Sequence, residues 1–145
     1  MGEWDVRHRK LRRRLCDDVE WMEFGGRATV RAVLDGFGTI DENLIEEPGG
    51  GYSALALRLF DPATALWSIW WVDGRNPVLQ PPVAGRFEQG VGSFFGDDVF
   101  EKRPIRVRFL WSGISERSAN WEQAFSADGG ATWETNWTMA FERAG

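Results

Sequence analysis

The sequence has few of the residues that carry nucleophilic catalysis, metal binding and cross-linking. Of its 145 residues, one is a cysteine (Cys16) and one is a histidine (His8). A single cysteine excludes an internal disulfide, and a single histidine excludes a site with several histidine ligands. A Ser–His–Asp or Cys–His centre would have to use these same two residues. We therefore expect no covalent catalysis, no metal and no other cofactor.

Long apolar runs and a basic body are also lacking. No apolar run approaches 18 residues, and no apolar segment typical of a secretory signal stands near the N-terminus. We expect no membrane partner and a cytoplasmic location. The net charge is −5; residues 1–15 carry six basic and two acidic side chains (+4), which leaves −9 on the rest. Because an acidic body repels phosphate backbones, we expect no nucleic-acid partner.

Apolar and aromatic residues, by contrast, are abundant. Hydrophobic residues make up 43% of the chain, and nine residues are tryptophan against a single tyrosine. At this length, such a composition is enough for one globular domain with its own core. Tryptophan is bulky and is rarely buried completely. We therefore expect some of the tryptophans to line a cavity or an interface.

The N-terminal segment has the spacing of an amphipathic helix. Trp4, His8, Leu11 and Leu15 fall at i, i+4, i+7 and i+11, and most of the other positions are arginine or lysine. This spacing predicts a basic helix over residues 1–17. Such a helix either contacts an anionic partner or covers the rest of the fold as an ordinary lid, and we favour the lid.

From residue 18 onward the apolar period changes to two. Strand-like runs lie near 18–24, 26–35, 38–46, 51–60, 65–73, 83–89, 91–96, 104–112, 118–126 and 131–142, with turn residues between them. In the last run, Trp133, Thr135, Trp137, Met139 and Phe141 share one face. The pattern predicts an all-β domain over 18–145: an antiparallel up-and-down barrel of about 8–10 strands, favoured over a sandwich because large aromatics recur on successive inward faces.

The run 65–73 is apolar on both faces. Trp67, Ile69 and Trp71 alternate with Leu66, Trp70 and Val72. A strand of this kind needs a second cover, which the N-terminal helix or a second subunit could provide. A homodimer through 65–73 is therefore one of the hypotheses.

One turn carries a recognisable motif. Residues 126–133 follow the pattern S-x-D-x-G-x-T-W, which resembles the Asp-box hairpin of sialidase propellers. In that pattern the aspartate accepts hydrogen bonds from turn amides and glycines supply positive φ. A single copy without a propeller repeat indicates a structural hairpin and not sialidase activity.

A candidate binding site follows from the aromatic residues. A small-molecule pocket typically combines an apolar lining with a few oriented polar groups. We expect Gln123, with Arg108 or Arg58, to orient the polar end of a ligand. The predicted ligand-binding residues are Trp70, Arg108, Phe109, Trp111, Trp121, Gln123 and Trp137.

The chain also resembles a known family. The strings GGRATVRAVLDGFGTIDEN, RLFDPATALWSIWWVDGR, GRFEQGVGSFFGDDVFEKRPIRVRFLWS and WEQAFSADGGATWETNW resemble the bacterial lipocalin-like, calycin-type domain family of unknown function. The resemblance covers about residues 18–143. It implies an antiparallel barrel with a central cavity, and it carries no catalytic residues. Haem-binding barrels of similar shape use a strand or loop histidine for which we expect no counterpart here.

These observations predict a small β-barrel protein that binds a hydrophobic or aromatic small molecule in its cavity. Two alternatives stay open. One is a cofactor-independent cyclase or isomerase that uses an interior carboxylate, for which Glu122 and Glu134 are the candidates. The other is a dimeric interaction protein.

Overall fold

Ten antiparallel strands form a closed barrel in the computed structural model, which describes residues 2–144. Each strand pairs with its neighbours in sequence, and the first strand closes the sheet by pairing with the last. The strands are β1 (Gly2–Leu11), β2 (Trp21–Val33), β3 (Gly38–Ile45), β4 (Tyr52–Asp61), β5 (Leu66–Asp73), β6 (Val83–Glu88), β7 (Val91–Phe100), β8 (Arg103–Ser112), β9 (Ser118–Ser126) and β10 (Glu134–Arg143). The predicted all-β, up-and-down barrel is confirmed.

The N-terminal segment is a strand, and the predicted helix over 1–17 is wrong as far as residues 2–17 are concerned. β1 pairs with β2 on one side and with β10 on the other. Its side chains alternate between the barrel interior, where Trp4, Val6, His8 and Lys10 are buried, and the surface. The helical spacing was incidental, because an alternating pattern runs through the same residues and two neighbouring strands satisfy its backbone hydrogen bonds.

Helical structure is almost absent from residues 2–144. One short 3₁₀ turn (Leu34–Gly36) connects β2 and β3, at the Asp35-Gly36 break that the sequence predicts. Within the described part of the chain, no helix is both long and apolar enough to cross a membrane.

The barrel interior is filled by two groups of apolar side chains. One group lies mainly on β1–β4 and on β9 and β10, and it includes Trp4, Trp121 and Trp137. The other lies mainly on β5–β8 and includes Phe94 and Phe125. Two further aromatic residues of β8, Phe109 and Trp111, pack against both groups and join them across the barrel.

A β-bulge changes which side chains of the last predicted strand point into the barrel. The register between β9 and β10 shifts between Thr135 and Trp137. As a result Trp137 is buried inside the barrel, whereas Trp133 packs against Phe95 and Arg108 on the outer surface. The prediction that Trp133 and Trp137 share one face is wrong, because an extra residue in a strand reverses the alternation beyond it.

The hairpin motif is built as its sequence predicts. The Asp128 carboxylate accepts hydrogen bonds from the Thr132 backbone N–H and hydroxyl, and from the Ser126 hydroxyl. Gly129 and Gly130 both have positive φ. The hydrogen bonds to Ser126 and Thr132 hold the pKa of the Asp128 carboxyl far below its usual range. The motif therefore connects β9 and β10 as a rigid turn.

Close packing of β6 on β7 yields the first prediction. A Cβ atom added at Gly85 would lie 1.8 Å from the backbone oxygen of Ser93, which cannot move without breaking the strand pairing. We expect Gly85→Ala to lower the free energy of unfolding by about 3 kcal/mol, the cost of forcing overpacked atoms apart. The measurement is urea unfolding followed by tryptophan fluorescence.

The matched control for this variant is Gly74→Ala. Its added Cβ would lie 3.6 Å from the nearest atom, an ordinary contact. Gly74→Ala should change the free energy of unfolding by less than about 1 kcal/mol. Equal stabilities for the two variants would contradict the pairing of β6 with β7.

Candidate functional site

The barrel has two ends that differ in their connections. The upper end carries the connections 12–20, 46–51, 74–82, 101–102 and 127–133, and the lower end carries 34–37, 62–65, 89–90 and 113–117. A cavity of about 420 Å³ lies inside the upper half, and we call it the upper cavity. Its apolar lining is Ile69, Trp71, Val83, Ile105, Val107, Phe109, Trp121, Phe125 and Trp137.

Aromatic rings packed edge to face form the floor of the upper cavity. The ring centroids of Trp121 lie 5.0 Å from Phe109 and 5.6 Å from Trp137, and Trp137 lies 5.8 Å from Trp71. These separations are typical of favourable edge-to-face pairs. Because each ring is held by another, the floor presents a preformed apolar surface to a ligand.

Gln123 is the polar side chain of β9 that lines the upper cavity. Its Nε2 donates a hydrogen bond of 2.8 Å to Oδ1 of Asn136, the residue at the bulge of β10. Asn136 is completely buried, and its Nδ2 has no hydrogen-bond partner in the structure. This bond fixes the amide of Gln123, so that its Oε1 is the group left to accept a hydrogen bond.

A chain of polar contacts forms one wall of the upper end. The Asp73 carboxylate accepts hydrogen bonds from the Trp71 indole and from the Arg75 guanidinium. The guanidinium lies 3.7 Å from the ring centroid of Tyr52, whose hydroxyl donates to Glu47 over 3.3 Å. The side-chain hydrogen bonds to Arg75 and Trp71 hold the pKa of the Asp73 carboxyl below its usual range despite its partial burial. Burial raises the pKa of Tyr52.

Lys10 is the charged residue of β1 that faces the interior. Its ammonium lies 2.7 Å from Oε1 of Glu47 and 4.4 Å from the ring centroid of Trp137, and the residue is 4% exposed. Burial lowers the pKa of Lys10, and the hydrogen bond to Glu47 opposes this shift. The carboxylate and the indole face together compensate for the loss of water around the ammonium.

Arg14 covers the mouth of the upper cavity without a carboxylate partner. It belongs to the connection 12–20, and its guanidinium lies 5.0 Å from the ring centroid of Phe100 and 5.8 Å from that of Phe125. Among the described residues, no carboxylate lies within 4 Å of it. Burial lowers the pKa of Arg14, and the nearby charge of Arg75 adds to this effect. An anionic or hydrogen-bond-accepting group placed here would accept hydrogen bonds from the Arg14 guanidinium.

Hydrogen bonds of Leu15, the residue after Arg14, hold this part of the cavity mouth in place. The backbone N–H of Leu15 donates to Oε1 of Glu134, and Arg103 donates to the Leu15 carbonyl. Leu15 itself packs against the core. These contacts hold the segment around Arg14 over the barrel instead of leaving it in solvent.

Carboxylates stand at the rim of the upper cavity, but not at its floor. Asp97 and Asp98 line the rim, where Asp97 is exposed and accepts a hydrogen bond from Arg106. Neither carboxylate that the sequence offers for acid–base catalysis lines the cavity. Glu122 borders a groove on the outer face, and Glu134 is bonded to Leu15 as described above.

His8 lies on the interior face of β1, below Lys10, so the expectation that no strand carries a histidine is wrong. Its Nδ1 accepts a hydrogen bond of 3.1 Å from the Trp137 indole, and its ring stacks on Phe24 at 4.9 Å. An acceptor at Nδ1 requires the tautomer protonated at Nε2. Burial, reinforced by the charge of Lys10, lowers the pKa of His8 to about 4. The imidazole is therefore neutral at pH 7 and orients Trp137, one of the rings of the cavity floor.

The structure brings together most of the predicted ligand-binding residues. Phe109, Trp121, Gln123 and Trp137 line the upper cavity. Trp111 also faces the interior, but it borders the lower half of the barrel. The remaining two predicted residues, Trp70 and Arg108, alternate with interior neighbours and lie on the outer face, Trp70 opposite Leu57 and Arg108 beside Trp133.

Several residues of the site escaped the sequence reasoning. Lys10 and Arg14 lie in the segment for which a helix was predicted, and Arg75 is not among the predicted ligand-binding residues. The signal that was available for Lys10 is the alternation of Trp4, Val6 and His8, which places position 10 on the same face.

The described residues contain no group of three or more histidine, cysteine or acidic side chains arranged to hold a metal ion. Cys16 is exposed and is a free thiol.

No protein-family model matches the chain, and no curated protein shows significant sequence similarity to it.

The neutral state of His8 leads to a prediction about pH. Between about pH 6.5 and 4 the unfolded chain binds a proton at His8 and the folded protein does not, so stability is present above this range and is lost as the pH falls through it. Protonation of His8 should lower the free energy of unfolding by about 3 kcal/mol in total. Urea unfolding at a series of pH values measures it.

His8→Gln is the control, since glutamine can still accept the Trp137 hydrogen bond but does not titrate. His8 is the only histidine in the chain. The variant should therefore lose most of the pH dependence between 6.5 and 4 and retain the acid unfolding caused by carboxylates at lower pH. The same pH dependence in the unmodified protein and in His8→Gln would contradict the prediction. It would show that His8 has the same pKa in the folded and the unfolded state.

Proposed function

We propose that this protein binds a hydrophobic or aromatic small molecule in the upper cavity of its barrel. The observation that carries the proposal is the cavity of about 420 Å³ with a preformed aromatic floor. This volume lies within the range of small-molecule sites, and the composition matches their usual combination of an apolar lining with a few polar groups.

Burial of apolar ligand surface supplies the affinity in this proposal. About 200 Å² of apolar area removed from water against Phe109, Trp121 and Trp137 contributes about 5 kcal/mol. Because the rings already pack edge to face, little ordering is needed when the ligand enters. Gln123 offers its carbonyl oxygen to a donor on the ligand.

The polar end of the ligand is placed at Arg14 in this proposal. A carboxylate there would gain charge-assisted, bidentate hydrogen bonds from a guanidinium that no carboxylate of residues 2–144 pairs with. Arg75, in contrast, is already occupied by Asp73. The preferred ligand is therefore an aromatic or aliphatic molecule with an acceptor group at one end.

We propose that the chain is a member of the bacterial lipocalin-like, calycin-type family that its sequence resembles, and that it acts in the cytoplasm. The closed ten-stranded antiparallel barrel supports the family assignment. Catalysis through Glu122 or Glu134 gains no support from the geometry, because neither carboxylate lines a cavity within the barrel.

Binding at Arg14 can be tested with 2-naphthoate, a bicyclic aromatic carboxylate. We expect Arg14→Gln to weaken its binding ten- to a hundredfold, because about 1.5–3 kcal/mol of charge-assisted hydrogen bonding is lost. Isothermal titration calorimetry measures both dissociation constants.

Arg31→Gln is the matched control, since Arg31 is exposed on β2 and does not line the upper cavity. It removes the same charge and should leave the affinity unchanged. An equal loss of affinity in Arg14→Gln and Arg31→Gln would show that only the net charge of the protein matters. Absence of 2-naphthoate binding to the unmodified protein would contradict the proposal.

Self-association through 65–73 is a second proposal, favoured by the outer face of the barrel. Trp70 and Val72 of β5 lie there beside Leu57 and Leu55 of β4, and Leu55 is 45% exposed. This row of apolar side chains is the surface that a second copy of the chain would cover.

Sedimentation velocity over a range of concentrations tests this second proposal. We expect a dimer that Trp70→Glu converts to a monomer, because a buried carboxylate without a partner costs several kcal/mol. Val91→Glu is the control, on the exposed outer face of β7, and should leave the dimer intact. A monomer at every concentration would contradict self-association.

A further inference from the structure

The lower half of the barrel contains a second cavity, of about 310 Å³, which we call the lower cavity. Aromatic side chains from six strands surround it: Trp4, Trp67, Phe87, Phe94, Trp111 and Phe141. It opens between the connections of the lower end, where Phe87 and Ile114 border it and are 45% and 52% exposed. A small molecule can therefore reach it without passing through the upper cavity.

A layer of side chains separates the two cavities. Among residues 2–144, Ile69 alone lines both. Between them, Trp71, Phe109, Trp111 and Trp121 border a space of only about 30 Å³. A space of this size holds about one water molecule and does not admit a ligand. The cavities are thus two sites and not one continuous channel.

The charged residues of the lower cavity neutralise each other. Both terminal nitrogens of Arg58 donate hydrogen bonds of 2.6 Å to the two oxygens of Asp41, and Nη1 also donates to Thr39. The guanidinium stacks over Trp111 at 5.1 Å from the ring centroid. The formal charge of the lining is therefore zero. An ionic ligand would lose its hydration here without gaining a free counter-charge.

We propose that the lower cavity is a separate binding site for a neutral, compact apolar molecule. A dry cavity of about 150 Å³ accommodates benzene, so about twice that volume fits a bicyclic aromatic or a hydrocarbon of similar size, with at most one hydroxyl group. The hydroxyl of such a molecule can bond to Thr39 or to Asp41. The two ends of the barrel then select ligands by charge: a carboxylate end at Arg14 in the upper cavity and an uncharged molecule beside the Asp41–Arg58 pair in the lower one.

Methyl NMR of the unmodified protein can distinguish the two sites, because each has its own reporter residues. Val30 and Ile114 line only the lower cavity, whereas Ile105 and Val107 line only the upper cavity. The probes are 2-naphthol, which is neutral at pH 7 because a phenol titrates near pH 10, and 2-naphthoate, its anionic counterpart of similar shape. We expect 2-naphthol to shift the methyl signals of Val30 and Ile114, and 2-naphthoate to leave those two signals unchanged.

A cavity-filling variant provides a second test of 2-naphthol binding in the lower cavity. Ala119 lines the lower cavity and not the upper one. Ala119→Leu should therefore weaken the 2-naphthol-dependent shifts of Val30 and Ile114 at least tenfold in dissociation constant. The matched variant Val107→Phe, which fills the upper cavity, should leave them unchanged. If either variant fails to fold, the probe shifts of the unmodified protein still decide the question.

Three results would overturn the proposal. They are shifts by 2-naphthol confined to Ile105 and Val107, shifts at no reporter up to its solubility limit, and equal shifts of Val30 and Ile114 by both probes. Failure of the function proposed for the upper cavity is a different result, namely the absence of 2-naphthoate shifts at Ile105 and Val107.

Discussion

The pairing of β1 with both β2 and β10 is the contact on which the rest of the structure depends. It closes the sheet into a barrel, and a closed sheet encloses an interior that ligands can occupy. The same strand carries Trp4 to the lower cavity and His8 and Lys10 to the interior of the barrel. His8 in turn holds Trp137 by its indole N–H. The strand that closes the barrel therefore also positions part of its aromatic interior.

A layer of aromatic side chains divides the interior of the barrel. Tryptophan and phenylalanine side chains from β5, β8 and β9 meet near the middle of the barrel and leave only a space of about 30 Å³. Towards each end the barrel is less filled, and a cavity remains on each side of this layer. The charges then differ: Arg14 at the upper mouth has no carboxylate partner within the described part of the chain, whereas Arg58 in the lower cavity is paired with Asp41. One fold thus presents two unlike environments.

Much of this fold could be predicted from the sequence, and the failures have identifiable causes. Alternation and turn residues were sufficient for the antiparallel barrel. They failed at β1, where residues 4, 8, 11 and 15 also fit a helical period, and at Asn136, where a bulge reverses the facing of Trp133. The site was predicted in part because interior positions follow from alternation. Lys10 and Asp41 escaped, since a buried charge is recognised only when its partner on another strand is known.

Two separate cavities with largely apolar floors flank an aromatic layer within one closed barrel. Diffraction from crystals pressurised with xenon tests this arrangement directly, because xenon occupies dry apolar cavities and needs no knowledge of the natural ligand. The account predicts xenon on both sides of Trp111 and Trp121, one position next to Val107 and another next to Phe94. Xenon at neither position, or a continuous row of xenon sites through the aromatic layer, would contradict it.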